Sequence, residues 1–279
     1  MTQQNIRASE SAADTETIVK EWRFQWSRHP MNGESMSRES YLSLWDRGAR
    51  SYNVSRYSEI TESVIGCLEE KGLLGGTLID IGCGIGAYAV PFSSRCEKVV
   101  AVDSSREALS VLKETCQDRH IGNIRTEECD CLSIPEELGC DTAFCSLCPG
   151  MNSPEAVLSM ESLGARRVYI SSCDSGEDSI EMEIWRELGC DYSYRGYDTD
   201  YPFRFLRSIG RTPEVHHFSQ LNESENDAES VIDGYRRTIA NYRKLTDREI
   251  GAIERVVRRH SENGTVRSSR TMNLGMIIW

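Results

Sequence analysis

The spacing of apolar residues changes along the chain, and the change separates helical from strand-forming segments. Trp45, Ala49 and Tyr52 are spaced so that they share one helical face. A second apolar stripe runs from Tyr57 to Leu68, and Gly72 follows where a helix would end. Two amphipathic helices are therefore predicted ahead of the first strand.

From residue 77 onward, short apolar runs alternate with segments of helical period. Strands that alternate with helices predict an α/β fold with a mostly parallel, doubly wound sheet. The sequence predicts seven strands in this sheet. They lie at 77–81, 98–103, 123–128, 141–147, 166–172, 213–218 and 270–279, with helices at 87–93, 104–118, 154–163, 179–188, 229–243 and 246–260.

The same pattern predicts how the chain is divided. Residues 1–20 are polar with little apolar periodicity, so they are expected to be flexible. Residues 21–76 form a helical segment that starts with Trp22, Phe24 and Trp26, which either pack on the body or belong to a lid. Residues 77–279 form the α/β domain, with a helical insertion at about 228–262 before the last strand.

Two further stretches do not fit the regular alternation. Residues 191–203 contain Tyr192, Tyr194, Tyr197, Tyr201 and Phe203, too many aromatic residues for a plain linker, and are predicted to be an aromatic loop. Residues 219–229 are polar and acidic, which predicts an exposed connection. Helix starts are predicted at Ser104, Ser153 and Thr246 from capping-type sequences.

Three glycines follow the first predicted strand at every second position: Gly82, Gly84 and Gly86. A strand, a glycine turn and a helix start together form a site where backbone N–H groups face a ligand. With Ala87 in last place the turn also fits the dinucleotide-binding pattern. The glycines alone therefore predict a nucleotide-like ligand without identifying it.

Two carboxylates narrow the choice of ligand. Asp80 precedes Gly82 by two residues, where a negative charge would repel a pyrophosphate but would suit an ammonium group. Asp103 ends the second strand, where a carboxylate binds ribose hydroxyls. Asp80 therefore favours a ligand with positive charge over a nicotinamide or flavin dinucleotide, whereas Asp103 indicates a nucleoside without choosing between these cofactor classes.

Composition excludes several other classes of function. The net charge is −12, with 44 acidic against 32 basic residues, which argues against a nucleic-acid partner. No apolar run approaches 18 residues, so no membrane span is expected. With no secretory signal visible, the 11 cysteines are expected to be reduced thiols in the cytoplasm.

Several cysteines have spacings that resemble metal-ligand pairs. Cys145 and Cys148 have the Cys-x2-Cys spacing of zinc ligands, but residues three apart in a strand point to opposite faces. Cys129 and Cys131 fall in a loop after the third strand. No metal site is expected, and thiols near the active site are the favoured interpretation.

Residues 78–86, Leu-Ile-Asp-Ile-Gly-Cys-Gly-Ile-Gly, resemble the first motif of the class I S-adenosylmethionine-dependent methyltransferases. Residues 100–105, Val-Ala-Val-Asp-Ser-Ser, resemble their second motif. With the order of strands and helices, the resemblance covers about residues 45–218. It implies a Rossmann-like fold, and Trp45 to Asn53 is similar to the lid helix of family members that act on small molecules.

The resemblance also implies a role for each matching position. Asp80 and the turn from Gly82 to Gly86 would hold the methionine moiety, with Tyr52 closing over it. Asp103 would bind the ribose hydroxyls. The residues implied to bind the cofactor are Tyr52, Asp80, Gly82, Cys83, Gly84, Gly86, Asp103, Ser104, Asp130, Cys131 and Cys145, with Ser104, Asp130 and Cys131 beside the adenine and Cys145 near the methyl group.

The expected reaction is methyl transfer from S-adenosylmethionine to a small molecule, with S-adenosylhomocysteine as product. The fourth strand ends Cys-Ser-Leu-Cys-Pro-Gly rather than Asn/Asp-Pro-Pro-aromatic, which disfavours planar amides and exocyclic amines as acceptors.

Tyr52, Tyr197 and Tyr201 are the candidate catalytic residues. A protein methyltransferase, an NAD(P)-dependent oxidoreductase and a non-catalytic cofactor-binding protein are the alternatives, and the oligomeric state, a homodimer included, is left open.

Overall fold

The structure is a computed structural model of the 279-residue chain, and it describes residues 3–27, 38–50, 58–173, 179–189, 198–240 and 244–279. The helices are α1 Gln3–Ser27, α2 Arg38–Ala49, α3 Ser58–Glu70, α4 Ala89–Phe92, α5 Arg106–Asp118, α6 Pro154–Leu163, α7 Ser179–Glu187, α8 Asp200–Ser208, α9 Ala228–Ala240 and α10 Asp247–Arg259. The strands are β1 Thr77–Ile81, β2 Lys98–Asp103, β3 Ile124–Glu128, β4 Cys140–Ser146, β5 Gly164–Ser172, β6 Glu214–Asp227, β7 Ser261–Glu262 and β8 Thr265–Ile278.

The strands form one sheet with the order β3-β2-β1-β4-β5-β8-β6, and the short β7 pairs with β8. Strands β1 to β5 are parallel, whereas β8 runs antiparallel between β5 and β6. The predicted α/β, doubly wound and mostly parallel sheet of seven main strands is confirmed. Because strand order reverses beside β1, the carboxyl ends of β1 and β4 flank the crevice where such sheets bind ligands.

Both faces of the sheet are covered by helices, which explains why its central strands are apolar throughout. One face packs against α3, α4 and α5 through side chains such as Leu68, Phe92 and Leu112. The other packs against α1, α6 and α8 through side chains such as Trp22 and Leu206. Because helices pack on both faces of the sheet, the carboxyl ends of its strands are held in fixed positions.

The N-terminal segment differs from the prediction of a flexible stretch over residues 1–20. Residues Gln3–Ser27 form a single helix. Ile18 is 2% exposed and Trp22 is fully buried against α8, while Phe24 is 60% exposed. The polar composition of this segment does not indicate a helix. Ile18 and Trp22, which are one turn apart, attach the helix to the body of the protein.

Strand β6 also differs from the prediction, because it continues through the polar stretch 219–227 to Asp227. Phe218 and Ser172 both pair with Leu274, and Ser172 is the last residue of β5. Nine residues of β6 and nine of β8 therefore pair with each other as a two-stranded ribbon beyond the carboxyl edge of the sheet. The half-buried positions of this part of β6 are polar, Gln220, Asn222 and Ser224 among them, so the sequence shows no apolar alternation there.

A small helical cap lies on this ribbon. Helices α7, α9 and α10 share a separate hydrophobic core that includes Ile184, Trp185, Ile232, Ile253 and Val266 of β8. The two helices predicted between the last strands are present as α9 and α10, and Thr246 with Glu249 forms the predicted capping box of α10. The cap therefore projects past the carboxyl edge of the sheet, on the side of the glycine turn.

Two local predictions need correction. Helix α5 is capped by Ser105, whose side chain accepts from the Ala108 N–H, and not by Ser104. The predicted aromatic loop over 191–203 ends in helix α8, which contains Tyr201 and Phe203. Residues 190–197, with Tyr192, Tyr194 and Tyr197, lie outside the described residues.

Candidate active site

The sheet topology brings the predicted site residues to one edge. In the strand register Ile81 is paired with Val102 on one side and with Cys145 on the other. The glycine turn after β1 therefore lies between Asp103 at the end of β2 and the segment that follows β4. The loop after β3, which carries Asp130 and Cys131, lies one strand further out.

Asp80 is a buried carboxylate at the end of β1, and its side chain is only 2% exposed. The backbone N–H of Ala89 donates to its carboxylate, and Oδ2 has no partner among the described residues. Burial and the neighbouring charge of Asp103 raise the pKa of Asp80 to about 7. A carboxylate in this position gains most from a positively charged group on a ligand.

Asp103 is half-buried and is held by the backbone around it. Oδ2 accepts from the Gly84 N–H at 2.7 Å, and Oδ1 accepts from the Ser105 N–H at 2.8 Å. Burial raises the pKa of Asp103 despite these hydrogen bonds, and the charge of Asp46 adds to the rise. Each carboxylate oxygen retains a lone pair, so the group can accept from a ligand hydroxyl without losing its fixed position.

Four N–H groups of the glycine turn donate to acceptors within the protein, in contrast to the prediction that they face a ligand. Gly82 and Cys83 both donate to the carbonyl of Val102, and Gly86 donates to the carbonyl of Cys83. The N–H of Gly84 is bound to Asp103. Helix α4 after the turn has only four residues, so its N-terminus attracts an anion weakly. The turn is poorly equipped for a pyrophosphate.

Space for a ligand is left at one of the three glycines. A Cβ at Gly84 would meet nothing within 4 Å, whereas a Cβ at Gly82 would strike Cys148 and one at Gly86 would strike Leu112. The backbone at Gly84 is therefore open to a ligand. Gly82 and Gly86 are instead required by packing inside the protein.

The side chain of Cys83 lies in the hydrophobic core and is 6% exposed, so only its backbone borders the site. Ser104 and Asp130 are half-buried at the edge beyond Asp103. The Asp130 carboxylate accepts from the Leu132 N–H at 2.9 Å, which fixes the loop after β3. The Cys131 thiol lies in the same loop, 3.8 Å from Asp130.

The end of β4 differs from the sequence interpretation. Cys145 was expected near the methyl group, but its thiol is fully buried in the hydrophobic core below the edge. Leu147 has a φ of 50°, so the chain leaves the strand there and Cys148 turns back. The Cys148 thiol hydrogen-bonds with Cys145, although three residues in a continuous strand would separate their faces.

Of the three candidate catalytic tyrosines, the structure describes Tyr201. Tyr52 and Tyr197 lie outside the described residues. Tyr201 is on α8, where its ring stacks on Trp22 with the centroids 6.4 Å apart. Burial, together with Glu21, Asp198 and Asp200, raises the pKa of Tyr201, so its phenol remains protonated at neutral pH.

The sequence interpretation missed a carboxylate on α2 beside the site. Asp46 accepts from the Ser105 hydroxyl at 2.6 Å and from the Glu107 N–H at 3.4 Å, and so adds a second cap to α5. Arg50 binds Glu107 and Glu114 on the same helix. These bonds hold α2 over the Asp103 end of the site. In the sequence, the signal for this contact is that Asp46 lies one helical turn before Arg50. This spacing does not identify the helix to which the two side chains bind.

Tyr88, which follows the glycine turn, was also missed. Its hydroxyl group hydrogen-bonds with Ser146 at the end of β4 and with Thr61 on α3. Burial raises the pKa of Tyr88 to about 12, so it remains a phenol. Tyr88 therefore joins the turn, β4 and α3 at the carboxyl edge.

Over the ranges that the structure describes, no cluster of three or more His, Cys, Asp or Glu side chains has an arrangement that could hold a metal ion. In the same ranges, every helix is too short or too polar to cross a membrane. The carboxyl edge is thus the site where the unusual groups converge.

Comparisons with known proteins agree with this location. Residues 78–162 match the sequence profile of a family described as a methyltransferase domain, and the resemblance stated from the two motifs is confirmed over this range. Among curated proteins, none matches the sequence.

Two solved structures are similar to this chain. A candidate methyltransferase of Bacillus halodurans C-125 has 15% sequence identity and a TM-score of 0.51; the match covers 77% of this chain and 97% of that one. Magnesium protoporphyrin IX methyltransferase of Synechocystis PCC 6803 has 13% identity and a TM-score of 0.47, over 94% of this chain and 98% of that one. The first of these similarities shows the shared fold.

Proposed function

We propose that this chain, whose residues 78–162 match the profile of a methyltransferase domain, transfers a methyl group from S-adenosylmethionine to a small-molecule acceptor. The cofactor would lie along the carboxyl edge, with its methionine end at Asp80 and its ribose at Asp103. The loop with Asp130 and Cys131 would border the adenine.

The observation that carries this proposal is the unpaired carboxylate of Asp80. It is buried, one oxygen has no partner among the described residues, and a second carboxylate lies nearby. The main contributions to the pKa values of Asp80 and Asp103 come from burial, other acidic groups and backbone N–H groups, and none of them comes from a described lysine or arginine. A cofactor with an ammonium and a sulfonium group would supply the missing positive charge, whereas a dinucleotide would add negative charge.

The residues at the site mainly position the reactants. When bound, S-adenosylmethionine supplies a methyl group that is already activated on sulfur. Asp80 and Asp103 fix two ends of the ligand, and Gly84 lets it approach the backbone closely. Alignment of the reacting atoms and exclusion of water then account for most of the rate increase. Tyr88 and Ser146 would border the acceptor as neutral hydrogen-bonding groups.

A small acceptor is favoured by what surrounds the edge. Helix α2 covers the Asp103 side, and the Ile60 N–H at the start of α3 donates to Gln220 on the projecting ribbon. The cap of α7, α9 and α10 lies at the far end of this ribbon. We expect these elements to bound the space for the acceptor, whereas a protein methyltransferase would need an open groove for a polypeptide.

Calorimetry with the full chain tests the proposal directly. S-Adenosylmethionine and S-adenosylhomocysteine should each bind with 1:1 stoichiometry, while NAD and NADP should not bind. Binding of either dinucleotide with no binding of the sulfur compounds would support the oxidoreductase alternative and reject the proposal. Turnover with candidate small molecules and with peptides then separates the two methyltransferase classes.

Asp103→Ala should weaken S-adenosylhomocysteine binding by about 1–3 kcal/mol, the size expected for loss of charge-assisted hydrogen bonds to two hydroxyl groups. S-Adenosylhomocysteine and its 2′-deoxy analogue should also bind this variant equally, whereas the native protein should prefer the hydroxylated ligand. Glu97→Ala at an exposed position is the control. An unchanged affinity for Asp103→Ala would reject the ribose assignment.

Helix α2 is proposed to act as a lid, and Asp46→Ala tests this role. Removal of a carboxylate that caps α5 should reduce stability by about 1 kcal/mol. Dissociation of S-adenosylhomocysteine should become faster, because α2 would be held less firmly over Asp103. Stopped-flow displacement measures this rate, with the exposed Arg47→Ala as a control on the same helix. Equal rates in both variants would contradict the lid role.

A further inference from the structure

Four cysteines lie near the glycine turn, and two of them form a close pair. Cys131 in the loop after β3 and Cys148 in the segment after β4 hydrogen-bond to each other through their thiols. Both side chains are half-buried, whereas those of Cys83 and Cys145 are buried in the core. Seventeen positions separate the two paired thiols in the sequence, so the fold alone brings them together.

Two glycines make room for this pair. A Cβ at Gly150 would lie 2.6 Å from the Cys131 sulfur and 4.0 Å from the Cys148 sulfur. A Cβ at Gly82 would lie 2.5 Å from the Cys148 sulfur. Both sulfurs therefore occupy space that a side chain would otherwise fill, and Cys148 lies directly against the first glycine of the turn.

We propose that Cys131 and Cys148 form an oxidisable dithiol whose disulfide disables the cofactor site. The oxidant is a peroxide. The Cys148 thiolate attacks one peroxide oxygen, the O–O bond breaks, and a sulfenic acid and hydroxide form. The Cys131 sulfur then displaces the hydroxyl group, which leaves as water, and an S–S bond joins the loops after β3 and β4. With hydrogen peroxide, the two thiols give one disulfide and two water molecules.

The position of the bond explains its effect on the site. A disulfide holds its sulfurs about 2.05 Å apart, closer than any thiol hydrogen bond. At least one of the two sulfurs must therefore move toward the other, and a shift of Cys148 would take it away from its place against Gly82. The movement draws together the two segments that border the proposed adenine and methyl positions, so this part of the inference rests on the proposed function.

The surroundings of the pair slow its oxidation by favouring the protonated thiols. The hydrogen bond to Cys148, together with burial, raises the pKa of Cys131. The hydrogen bond from Cys131 lowers the pKa of Cys148, but Cys145 and burial outweigh it and leave that pKa well above its ordinary value. Because the thiolate is the reactive form, oxidation should be slow at neutral pH and should accelerate as the pH rises.

Peptide mapping of the full chain after treatment with hydrogen peroxide at pH 8.5 tests the pairing. One disulfide between Cys131 and Cys148 is expected, and Cys131→Ser and Cys148→Ser should each abolish it. Cys116→Ser on α5 should leave the disulfide intact, because burial, and no other thiol, raises the pKa of Cys116, in contrast to Cys131 and Cys148. Absence of a disulfide, or a bond from Cys148 to Cys145 instead, would overturn the proposal.

Calorimetry with S-adenosylhomocysteine tests the consequence. The oxidised protein should bind at least tenfold more weakly than the reduced protein, and dithiothreitol should restore the affinity. Cys131→Ser should show the same affinity before and after peroxide treatment. Equal affinities of the oxidised and reduced native protein would overturn the switch. If even the reduced protein fails to bind, the proposed function fails, while peptide mapping still decides whether the dithiol exists.

Discussion

Asp80→Asn is expected to remove most of the change in protein stability with pH that arises from the candidate active site. The same substitution should weaken cofactor binding more than tenfold at pH 8. The carboxylate is buried and has one unpaired oxygen, so its charge destabilises the protein when no ligand is present. The same charge stabilises a bound cation. The amide has nearly the same shape, and the substitution therefore isolates the charge.

The sign of the pH effect follows from the pKa. Burial first, and then the charge of Asp103, raises the pKa of Asp80 from 3.8 to about 7. The folded protein therefore holds the proton over a pH range in which the unfolded chain has lost it. Relative to the variant, the native protein is most stable below pH 4 and loses stability as the pH rises to about 7. The shift corresponds to about 4 kcal/mol at most.

Urea unfolding of the ligand-free, reduced proteins at pH 5 and pH 8 measures this effect. The native protein should lose stability relative to Asp80→Asn between the two pH values. Asp118→Asn, at the exposed end of α5, should show no such difference and serves as the control. A constant difference between native protein and Asp80→Asn would show that Asp80 does not titrate as proposed. An unchanged affinity for S-adenosylmethionine at pH 8 would reject its role in binding.

Gly82→Ala is expected to destabilise the protein by about 2–4 kcal/mol through a clash with Cys148. The φ of Gly82 is 71°, in the left-handed region that costs an alanine about 1 kcal/mol. The added methyl group would also lie 2.5 Å from the Cys148 sulfur and 2.7 Å from its Cβ. Since Cys148 is fixed by Cys131 and Cys145, the methyl group cannot be accommodated by a simple rotation.

Gly84→Ala is the matched variant, because it has a similar backbone but different surroundings. Its φ is 53°, and an added Cβ would meet nothing within 4 Å. The loss of stability should be only about 1 kcal/mol. The methyl group would occupy space proposed for the cofactor, so the affinity for S-adenosylhomocysteine should fall although the fold is retained.

Denaturant unfolding and calorimetry on both variants separate the two roles. Gly82→Ala should be the less stable, and Gly84→Ala should be the stable variant with weak binding. Cys148→Gly combined with Gly82→Ala should recover part of the lost stability, because the clash is removed. Similar stabilities of the two single variants would contradict the packing argument, and full affinity of Gly84→Ala would contradict the proposed ligand position.

The sequence determined those features that depend on neighbouring residues. The strands around Asp80 and Asp103 were predicted closely, because a buried parallel strand needs an unbroken apolar run. The glycine turn was identified from its spacing. The capping box of α10 was predicted correctly because all of its atoms lie within four residues.

The tertiary structure decided those features that depend on distant partners. The sequence does not show that α1 buries Trp22, that β6 extends to Asp227 as one side of a ribbon, or that Asp46 caps α5. It predicted that the N–H groups of the turn would face a ligand, whereas Val102 and Asp103 accept from three of them. It also could not place the Cys148 thiol beside Cys131. Spacing along a chain records only local geometry, whereas these contacts are fixed when separate strands and helices pack into one body.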